Sequence, residues 1–403
     1  MKEWKKVKLG EIYDVHNGLS KGRQFFGTGY PFLTFSNVFN NWFLPESLES
    51  LVQTSEKERE NFSIKKGDVF ITRTSETMDE LGMSSVALKD YPHATYNGFT
   101  KRLRPKSDCM IPEYVGYYLR SPKFRGKFMA FSTMTTRASL ANDDLLNMEI
   151  DLPPLPTQHR IASILSRYDA LIENYQKQIK LLEEAAARLY KQWFVELKFP
   201  GYQNTTIVDG VPEGWEKKKL AEIALINKRN LSKIHEYPYI DYIDLGSVRN
   251  GNIENPIRYN IGEEPGRAKR LAIDGDIIWG MVRPNLKSYA LIQKPKKFDV
   301  FSTGFAIISA QNVPFSFLYC ALTTEAFIGY LVNCTNGAAY PAVKPEHFAE
   351  ADILIPSLDI IESFDLKVKP CFRKIHSLQS QIRHLTESRD RLLPKLMSGE
   401  LEV

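Results

Sequence analysis

The chain has 403 residues, 43% of them hydrophobic and 25% charged, and a formal net charge of +5. This composition excludes a disordered chain and is typical of a globular protein, and the length suggests two to four compact domains. The charge is only mildly basic, which permits a polyanionic partner without requiring one.

The cysteines and the hydropathy pattern restrict the class of protein further. The four cysteines form no C-x-x-C pair and no finger-like spacing with the seven histidines, so we expect neither disulfides nor a structural zinc site. No segment approaches eighteen consecutive apolar residues, and the N-terminus has no apolar signal core. We therefore expect a cytoplasmic protein that does not enter a membrane.

Residues 1–152 are predicted to form a first domain. Short apolar runs such as 69–71 alternate with Gly, Asn and Pro turns, which is typical of strands, and a helical stretch at 113–119 interrupts them. We interpret this pattern as an α+β domain with a twisted, mostly antiparallel sheet.

A long helix is predicted next, within residues 153–200. Its apolar residues recur at alternating steps of four and three for more than four heptads, with no Pro or Gly among them. This spacing is the narrow seam of a coiled coil. The seam residues singled out here are Leu165, Tyr168, Ile172, Tyr175, Ile179, Leu182 and Leu189.

The second half of the chain repeats the motifs of the first in the same order. The offset drifts only from 211 (215 − 4) to 203 (355 − 152), which indicates a tandem duplication. The matched pairs are 4–12 with 215–223, 67–71 with 275–279, 97–99 with 303–305, and 152–155 with 355–358. Residues 201–355 are therefore predicted as a second domain of the same class.

The last predicted element is a second long helix, within residues 356–403. Its seam has the register of the first helix, 203 residues later. We expect Pro370 to break its first turns and Pro394 to kink or end it. The seam residues singled out are Val368, Ile375, Leu378, Ile382, Leu385 and Leu392.

Two seams in register suggest that the two helices pair as an antiparallel coiled coil, because a long helix with a narrow apolar stripe needs a partner. The alternative is that each is an ordinary amphipathic helix packed on its own domain. About 36 residues at roughly 1.5 Å each give about 54 Å, the length of about 16 base pairs of DNA. Such a spacing suits a protein that reads two separated half-sites.

Several stretches resemble the specificity subunits of Type I restriction–modification enzymes. The segment from Thr135-Thr-Arg-Ala-Ser-Leu140 to Ile150-Asp-Leu-Pro-Pro-Leu-Pro-Thr-Gln-His-Arg-Ile-Ala162 is similar to the hinge of that family, where a recognition domain runs through a proline-containing strand into a long helix. Further landmarks are 4–12, 30–33, 66–69 and 392–401. The resemblance covers the whole chain.

The resemblance implies that this is a DNA-binding protein of a prokaryotic restriction system with a role in host defence. Each target recognition domain would read one half of a bipartite double-stranded DNA target, and the paired helices would set the gap. The helices would dock two modification (methyltransferase) subunits, which bring S-adenosylmethionine and methylate adenine. Restriction subunits (translocase and nuclease) would add ATP-dependent and magnesium-dependent steps, while this chain binds no cofactor itself.

The residues offer little support for catalysis by the chain itself. The segment 151–155 only superficially resembles a methyltransferase motif, and there is no phosphate-binding loop. Asp68 beside Lys65 and Lys66 suggests a nuclease, but the duplicated Gly-Asp pair is explained better as a turn. Two alternatives stay open: a chain with its own methyltransferase or nuclease site, and a coiled-coil adaptor that binds protein.

Candidate DNA contacts are polar and basic residues in predicted loops, since Arg pairs with guanine and Asn or Gln with adenine. We favour Arg73 and Arg283, because both follow the duplicated Gly-Asp strand. Residues 339–344 stand where the first half has 136–140, so the two domains differ where contact is expected. The remaining candidates are Lys21, Arg23, Gln24, Ser36, Asn37, Thr74, Arg137, Arg229, Arg249, Asn285, Lys287, Tyr340 and Lys344.

Overall fold

The computed structural model describes residues 4–75, 81–130, 133–134, 138–139, 141–232, 237–254, 256–335 and 341–403. The chain divides into two compact units. Unit 1 comprises Met1–Asn174 with Ile382–Val403, and unit 2 comprises Tyr175–Gln381. Both boundaries between the units fall inside long helices, so each unit contains one half of each helix.

Unit 1 begins with the strands and helices of the first repeat. Its strands are β1 (Lys5–Lys8), β2 (Tyr13–Asn17), β3 (Phe26–Leu33), β4 (Leu51–Val52), β5 (Val69–Thr72), β6 (Thr74–Ser75), β7 (Ser84–Val86), β8 (Thr95–Tyr96), β9 (Thr100–Pro105), β10 (Thr133–Met134), β11 (Ala138–Ser139) and β12 (Glu149–Leu152). Its helices are α1 (Leu9–Ile12), α2 (Phe35–Asn40), α3 (Glu56–Asn61), α4 (Pro112–Arg120), α5 (Pro122–Ala130), α6 (Asn142–Asn147) and the first half of α7 (Leu155–Tyr190).

Unit 2 continues in the same way. Its strands are β13 (Ile207–Val208), β14 (Val211–Pro212), β15 (Glu216–Lys219), β16 (Ala224–Ile226), β17 (Tyr239–Ile243), β18 (Val248–Arg249), β19 (Asn252–Ile253), β20 (Ile257–Asn260), β21 (Ala268–Arg270), β22 (Ile277–Gly280), β23 (Tyr289–Leu291), β24 (Asp299–Ser302), β25 (Phe305–Ala310) and β26 (Asp352–Ile355). Its helices are α8 (Leu220–Ile223), α9 (Phe315–Leu322), α10 (Glu325–Asn333), α11 (Pro345–Ala349) and the first half of α12 (Leu358–Ser398).

The two units share one sheet topology. The antiparallel order β2-β9-β5-β7 in unit 1 corresponds to β16-β25-β22-β23 in unit 2, and the pair β1-β12 corresponds to β15-β26. A second sheet in each unit contains one parallel pair, β3 with β8 and β17 with β24. The central strands β5 and β22 are buried along their whole length, as their unbroken apolar runs predict. The α+β class with mostly antiparallel sheets and the duplication are therefore confirmed.

The duplicated Gly-Asp pair forms the same turn in both units. Gly67 and Gly275 have φ values of +86° and +87°, a conformation that favours glycine. The following aspartate accepts a hydrogen bond from the backbone three residues earlier, from Lys65 to Asp68 and from Ile273 to Asp276. The turn delivers the chain into β5 and β22, which agrees with the interpretation of this motif as structural.

The two long helices pair with each other inside each unit. In unit 1, Arg389 of α12 forms an ion pair with Asp169 of α7 at 2.7 Å. In unit 2, the rings of Tyr190 and Phe364 lie 6.0 Å apart. As the position on α7 advances from 169 to 190, its contact on α12 moves back from 389 to 364, so the pairing is antiparallel. None of the seam residues named above is exposed, and Leu165, Val368, Ile375 and Leu378 are fully buried.

The helices also pack on the domains, so the two arrangements predicted as alternatives coexist. Ile161 and Leu165 of α7 belong to the main core of unit 1, together with Leu396 of α12. Phe364 and Ile375 belong to the main core of unit 2. Each helix half therefore buries one stripe against its partner helix and against the strands and helices of its unit.

Pro370 does not break α12 and Pro394 does not end it, so the prediction of an interruption at either proline was wrong, while the predicted kink at Pro394 stays a prediction. The helix runs without interruption from Leu358 to Ser398, through both Pro370 and Pro394. A proline costs a helix one hydrogen bond and crowds the preceding turn, but packing of the apolar stripe supplies most of the stability of a long helix. Tertiary contacts on either side of each proline therefore outweigh the local penalty.

Within the described ranges, no single helix combines the length and apolar character needed to cross a bilayer. Helices α9 and α10 reach the length and apolar character of a membrane span only when taken together, and they are bent by 59° relative to each other. Their apolar side chains, such as Phe317 and Leu331, are buried in the core of unit 2.

Candidate nucleic-acid interface

In unit 1, the end of β5 lies near two loops, the loop 97–99 that precedes the neighbouring strand β9 and the loop that follows β2. The Arg73 backbone N–H donates to the Phe99 carbonyl at 3.0 Å, and its guanidinium lies 3.3 Å from the Gly98 carbonyl oxygen. Leu19 forms a bridge with Asn97, which brings the loop after β2 to the same edge. A side chain at Gly18 would clash with the Asn97 carbonyl, so glycine is required for this close approach.

The loop after β2 carries three of the predicted contacts. Arg23 and Gln24 are exposed in a short 3-10 turn, whereas Lys21 forms an ion pair with Glu58 at 2.7 Å. The aromatic residues on this surface were not predicted from the sequence. Phe25 is 36% exposed and Phe99 is 56% exposed. An apolar residue in a loop is normally assumed to be buried. The only sequence signal for an exposed aromatic side chain was therefore the position of Phe25 next to Arg23 and Gln24.

Positive charge accumulates at the end of β5. Lys101, on the neighbouring strand β9, is buried and contacts the side-chain oxygen of Asn142. Burial lowers the pKa of Lys101, and the nearby Arg73 guanidinium lowers it further. Two cations near one strand end repel each other, and an anionic ligand at this edge would relieve that repulsion.

The hinge segment that carries the family resemblance lies beside Arg73. Strand β11 pairs with β6, which contains Thr74, and also with β10, so the order is β10-β11-β6. The structure therefore places the stretch that leads to α7 next to the end of the duplicated strand. Arg137 lies outside the described residues, and only the backbone of Thr74 is described.

Two other candidates in unit 1 lie on α2. The Asn37 side chain accepts a hydrogen bond from the Thr34 backbone N–H at 3.1 Å, so it caps the start of this helix. Ser36 is exposed, and its hydroxyl accepts a hydrogen bond from Asn40 at 2.9 Å. The structure therefore gives Asn37 a structural partner, while Ser36 faces solvent.

In unit 2, the end of β22 repeats the arrangement seen at the end of β5. The Arg283 backbone N–H donates to the Pro341 carbonyl at 2.8 Å, and Val282 bridges Ala342. The segment 341–343 thus lies beside the end of β22. In unit 1, β11 lies in the same way beside β6, the short strand that follows β5. The Arg283 side chain is exposed, and its φ of +49° is an unusual conformation for a residue other than glycine.

The segment after Arg283 brings further candidates together. Asn285 is exposed within the 3-10 turn Pro284–Leu286, while Lys287 is paired with Glu325 at 2.5 Å. The hairpin of β18 and β19 lies beside this turn, because the Asn250 backbone N–H donates to the Lys287 carbonyl. Arg249 is exposed on that hairpin. Backbone contacts therefore join these candidates into one surface.

The structure separates Arg229 from this surface. Its guanidinium lies 3.2 Å from the Asp276 carboxylate and 3.1 Å from the Ser309 hydroxyl. Asp276 immediately precedes β22, whereas Arg283 follows it. Lys344 is exposed and directly follows the segment beside Arg283, and Tyr340 lies outside the described residues.

The acidic residues considered for catalysis have structural partners. Asp68 is buried and paired with Arg104 at 2.5 Å. Burial opposes ionisation of Asp151, but Lys123 and Lys127 hold the pKa of this carboxyl below its usual value. Residues 149–152 form β12 and α7 begins at Leu155, so the segment 151–155 is the predicted strand-to-helix junction. In the part of the chain that the structure describes, no group of three or more His, Cys, Asp or Glu could hold a metal ion.

Comparison with known proteins gives consistent results. The family model "Type I restriction modification DNA specificity domain" matches residues 1–184 and 212–369. The chain is 28% identical, over all of its length and 94% of the relative, to the Type I restriction enzyme MjaIX specificity subunit of Methanocaldococcus jannaschii. It is 23% identical to the HindI specificity subunit of Haemophilus influenzae, with both chains fully covered.

A solved structure has the same fold. The S subunit of a Type I restriction–modification system from M. genitalium superimposes with a TM-score of 0.59 at 15% sequence identity. The match covers 98% of this chain and 96% of that one. The similarity therefore extends over both repeats and both long helices.

Proposed function

Because the chain belongs to the Type I restriction–modification DNA specificity family, we propose that its two units each read one half of a bipartite, asymmetric DNA target. The role of the chain is DNA recognition, and it is the non-catalytic specificity component of such a system. Double-stranded DNA is its nucleic-acid partner in this proposal.

One observation carries the proposal of two readers. In each unit an arginine follows the duplicated central strand and lies beside the segment that leads towards the long helix, Arg73 beside β11 and Arg283 beside 341–343. The backbone frame is therefore repeated, whereas the side chains differ. Equivalent frames with different side chains suit a protein that reads two unlike half-sites.

The proposal extends to the partners and the cofactors. Two modification subunits would bind the paired helices and supply S-adenosylmethionine, and restriction subunits would supply the ATP-dependent and magnesium-dependent steps. The chain itself would bind none of these cofactors and would act in a prokaryotic cytoplasm. The isolated chain, incubated with S-adenosylmethionine, magnesium and target DNA, should transfer no methyl group. Methyl transfer under these conditions would overturn the assignment of a non-catalytic role.

The two arginines can be tested separately in the complex of this chain with its modification subunits. Arg73→Ala should relax the base preference in one half-site and Arg283→Ala in the other, each at a cost of about 1–3 kcal/mol for the preferred base. Selection of bound duplexes from a randomised pool measures both preferences. Lys66→Ala, an exposed residue before β5, is the matched control. An equal loss in both half-sites from either arginine variant would contradict the two-reader proposal.

A further inference from the structure

Unit 2 contains a cavity of about 570 Å³ between α7, α9, α10 and the turn of the β18–β19 hairpin. Tyr190, Tyr289, Tyr319 and Phe372 contribute aromatic walls, and Glu183 contributes a carboxylate. This volume lies in the range of sites that take small molecules or single side chains. These five residues lie outside the surface proposed above for DNA, and the cavity borders that surface at Asn250 and at Glu325, the ion-pair partner of Lys287.

Glu183 is the unusual member of this lining. It is half-buried, and among the described residues no donor forms a hydrogen bond or an ion pair with its carboxylate. Burial raises its pKa to about 7, and the neighbouring Glu184 charge contributes. Glu184 itself is exposed, with Lys180 at 3.9 Å. A half-buried acid without a partner is costly, which suggests that a cation from outside completes the site.

The duplicated unit shows what occupies the equivalent place. In unit 1, the guanidinium of Arg389 lies 4.9 Å from the Trp42 ring centroid and forms an ion pair with Asp169, which also accepts a 2.5 Å hydrogen bond from Tyr117. The guanidinium of Arg389 thus contacts an aromatic ring, that of Trp42, and a carboxylate, that of Asp169. Cation–π attraction and charge-assisted hydrogen bonds both favour this arrangement.

The repeat offset identifies the matching residues of unit 2. Arg389 corresponds to Ala186 (389 − 186 = 203), and Asp169 corresponds to Phe372 (372 − 169 = 203). Tyr117 corresponds to Tyr319 (319 − 117 = 202), because the nearby Ile111-Pro112 matches Val313-Pro314 at the same offset (313 − 111 = 202). Tyr319 packs edge-on against Phe372 at 5.1 Å. Ala186 lines the cavity. Unit 2 therefore has an open cavity at the position where unit 1 holds the Arg389 side chain. The Glu183 carboxylate and aromatic rings line this cavity.

We propose that this cavity binds an alkylguanidinium group, seated between Glu183 and the aromatic walls as Arg389 is seated in unit 1. Guanidinium matches the site because it is planar, stacks on aromatic rings and donates two parallel hydrogen bonds to a carboxylate. The group is carried either by a free small molecule or by an arginine side chain of a protein.

Calorimetric titration of the full chain with agmatine and with N-acetylarginine amide tests the proposal. Wild-type protein binds at least one of the two probes, and Glu183→Gln weakens that binding by roughly tenfold or more, since a charged hydrogen-bond partner is lost. Glu184→Gln, the adjacent exposed acid, leaves the affinity within about twofold. Ala186→Arg fills the cavity from within, so it abolishes binding and raises the melting temperature.

The two probes distinguish the sources of the group. Tighter binding of agmatine identifies a free amine-bearing ligand, and tighter binding of the capped amino acid identifies an arginine presented by a protein; either result supports the site. Failure of both probes to bind folded wild-type protein overturns the proposal. Unchanged affinity in Glu183→Gln overturns it as well, because that variant is expected to fold. DNA binding is measured in parallel, and its loss or retention does not bear on this site.

Discussion

Arg389 and Ala186 occupy matching positions of the two long helices, and the difference between them changes the electrostatics of the two units. In unit 1 the arginine places a charge next to Asp169, so that the acid has a partner. In unit 2, Ala186 supplies no charge, and none of the described residues donates a hydrogen bond or forms an ion pair with the nearby Glu183. The two sites differ at three positions of the repeat: Arg389 against Ala186, Asp169 against Phe372, and Thr386 against Glu183 (386 − 183 = 203).

The raised pKa of Glu183 predicts a pH-dependent stability. In the unfolded chain this glutamate ionises near its ordinary value of 4.5, whereas in the folded protein it retains its proton to about pH 7. The unfolded state therefore binds fewer protons between about pH 4.5 and 7, so this residue lowers the stability as the pH rises through that window. Glu183→Gln should stabilise the protein more at pH 8 than at pH 4.5, as measured by chemical denaturation.

The surroundings of Glu183 define the control for that experiment. Burial raises the pKa of Tyr289 to about 12 and also raises that of Tyr319, so both tyrosines stay neutral across the window. Lys191 and Glu325 also line the cavity. Glu362→Gln, an exposed position of α12, is the matched variant and should show no comparable difference between the two pH values. An equal effect of the two variants would contradict the prediction.

At the scale of single elements, α12 shows how far packing outweighs local preference. Pro370 lies in the interior of the helix on its exposed side, so the carbonyl four residues earlier lacks its helical donor. Pro370→Ala should restore that hydrogen bond and raise the free energy of unfolding by about 1–3 kcal/mol. Denaturant titration measures the change.

A second substitution on the same helix controls for surface effects. Lys374→Ala, one turn later and also exposed, should change the free energy of unfolding by less than about 0.5 kcal/mol. If Pro370→Ala instead destabilises the protein, the local geometry imposed by the proline is required for packing, and the simple propensity argument fails.

At the scale of the whole molecule, the duplicated architecture predicts that the recognition domains are exchangeable. Replacing residues 201–355 with the corresponding domain of a relative exchanges the strands of the second repeat, including the β15-β26 pair, and leaves both long helices, α7 and α12, in place. In cells that also express the modification subunits, the chimera should direct methylation to a target with one half changed and the other kept. Methylation mapping of the host genome measures both halves.

The reciprocal chimera provides the comparison. Replacement of residues 1–152 should change the opposite half-site and preserve the half read by unit 2. If either exchange alters both halves of the target, then recognition is not divided between the units.

The candidate site was only partly predictable. Arg73 and Arg283 could be placed at strand ends because the Gly-Asp turn and the apolar run are local patterns. The polar loops were harder: Lys21, Lys287, Asn37 and Arg229 look alike in sequence, yet each has an ion-pair or hydrogen-bond partner in the fold. Such pairing depends on residues far apart in the chain, which a single sequence does not reveal.

By itself the sequence determined the duplication and the α+β class, since each depends on periodicity or on repeated local motifs, and it favoured an antiparallel pairing of the two long helices over separate packing. The residues of the heptad seam were identified in the same way. Only the tertiary structure decided which loops share a surface, which aromatic side chains are exposed, and that α12 passes through its two prolines. It also decided that Ala186 faces a cavity lined by Glu183. These features depend on long-range packing, where distant side chains fill or leave space and supply or withhold a partner for each charge.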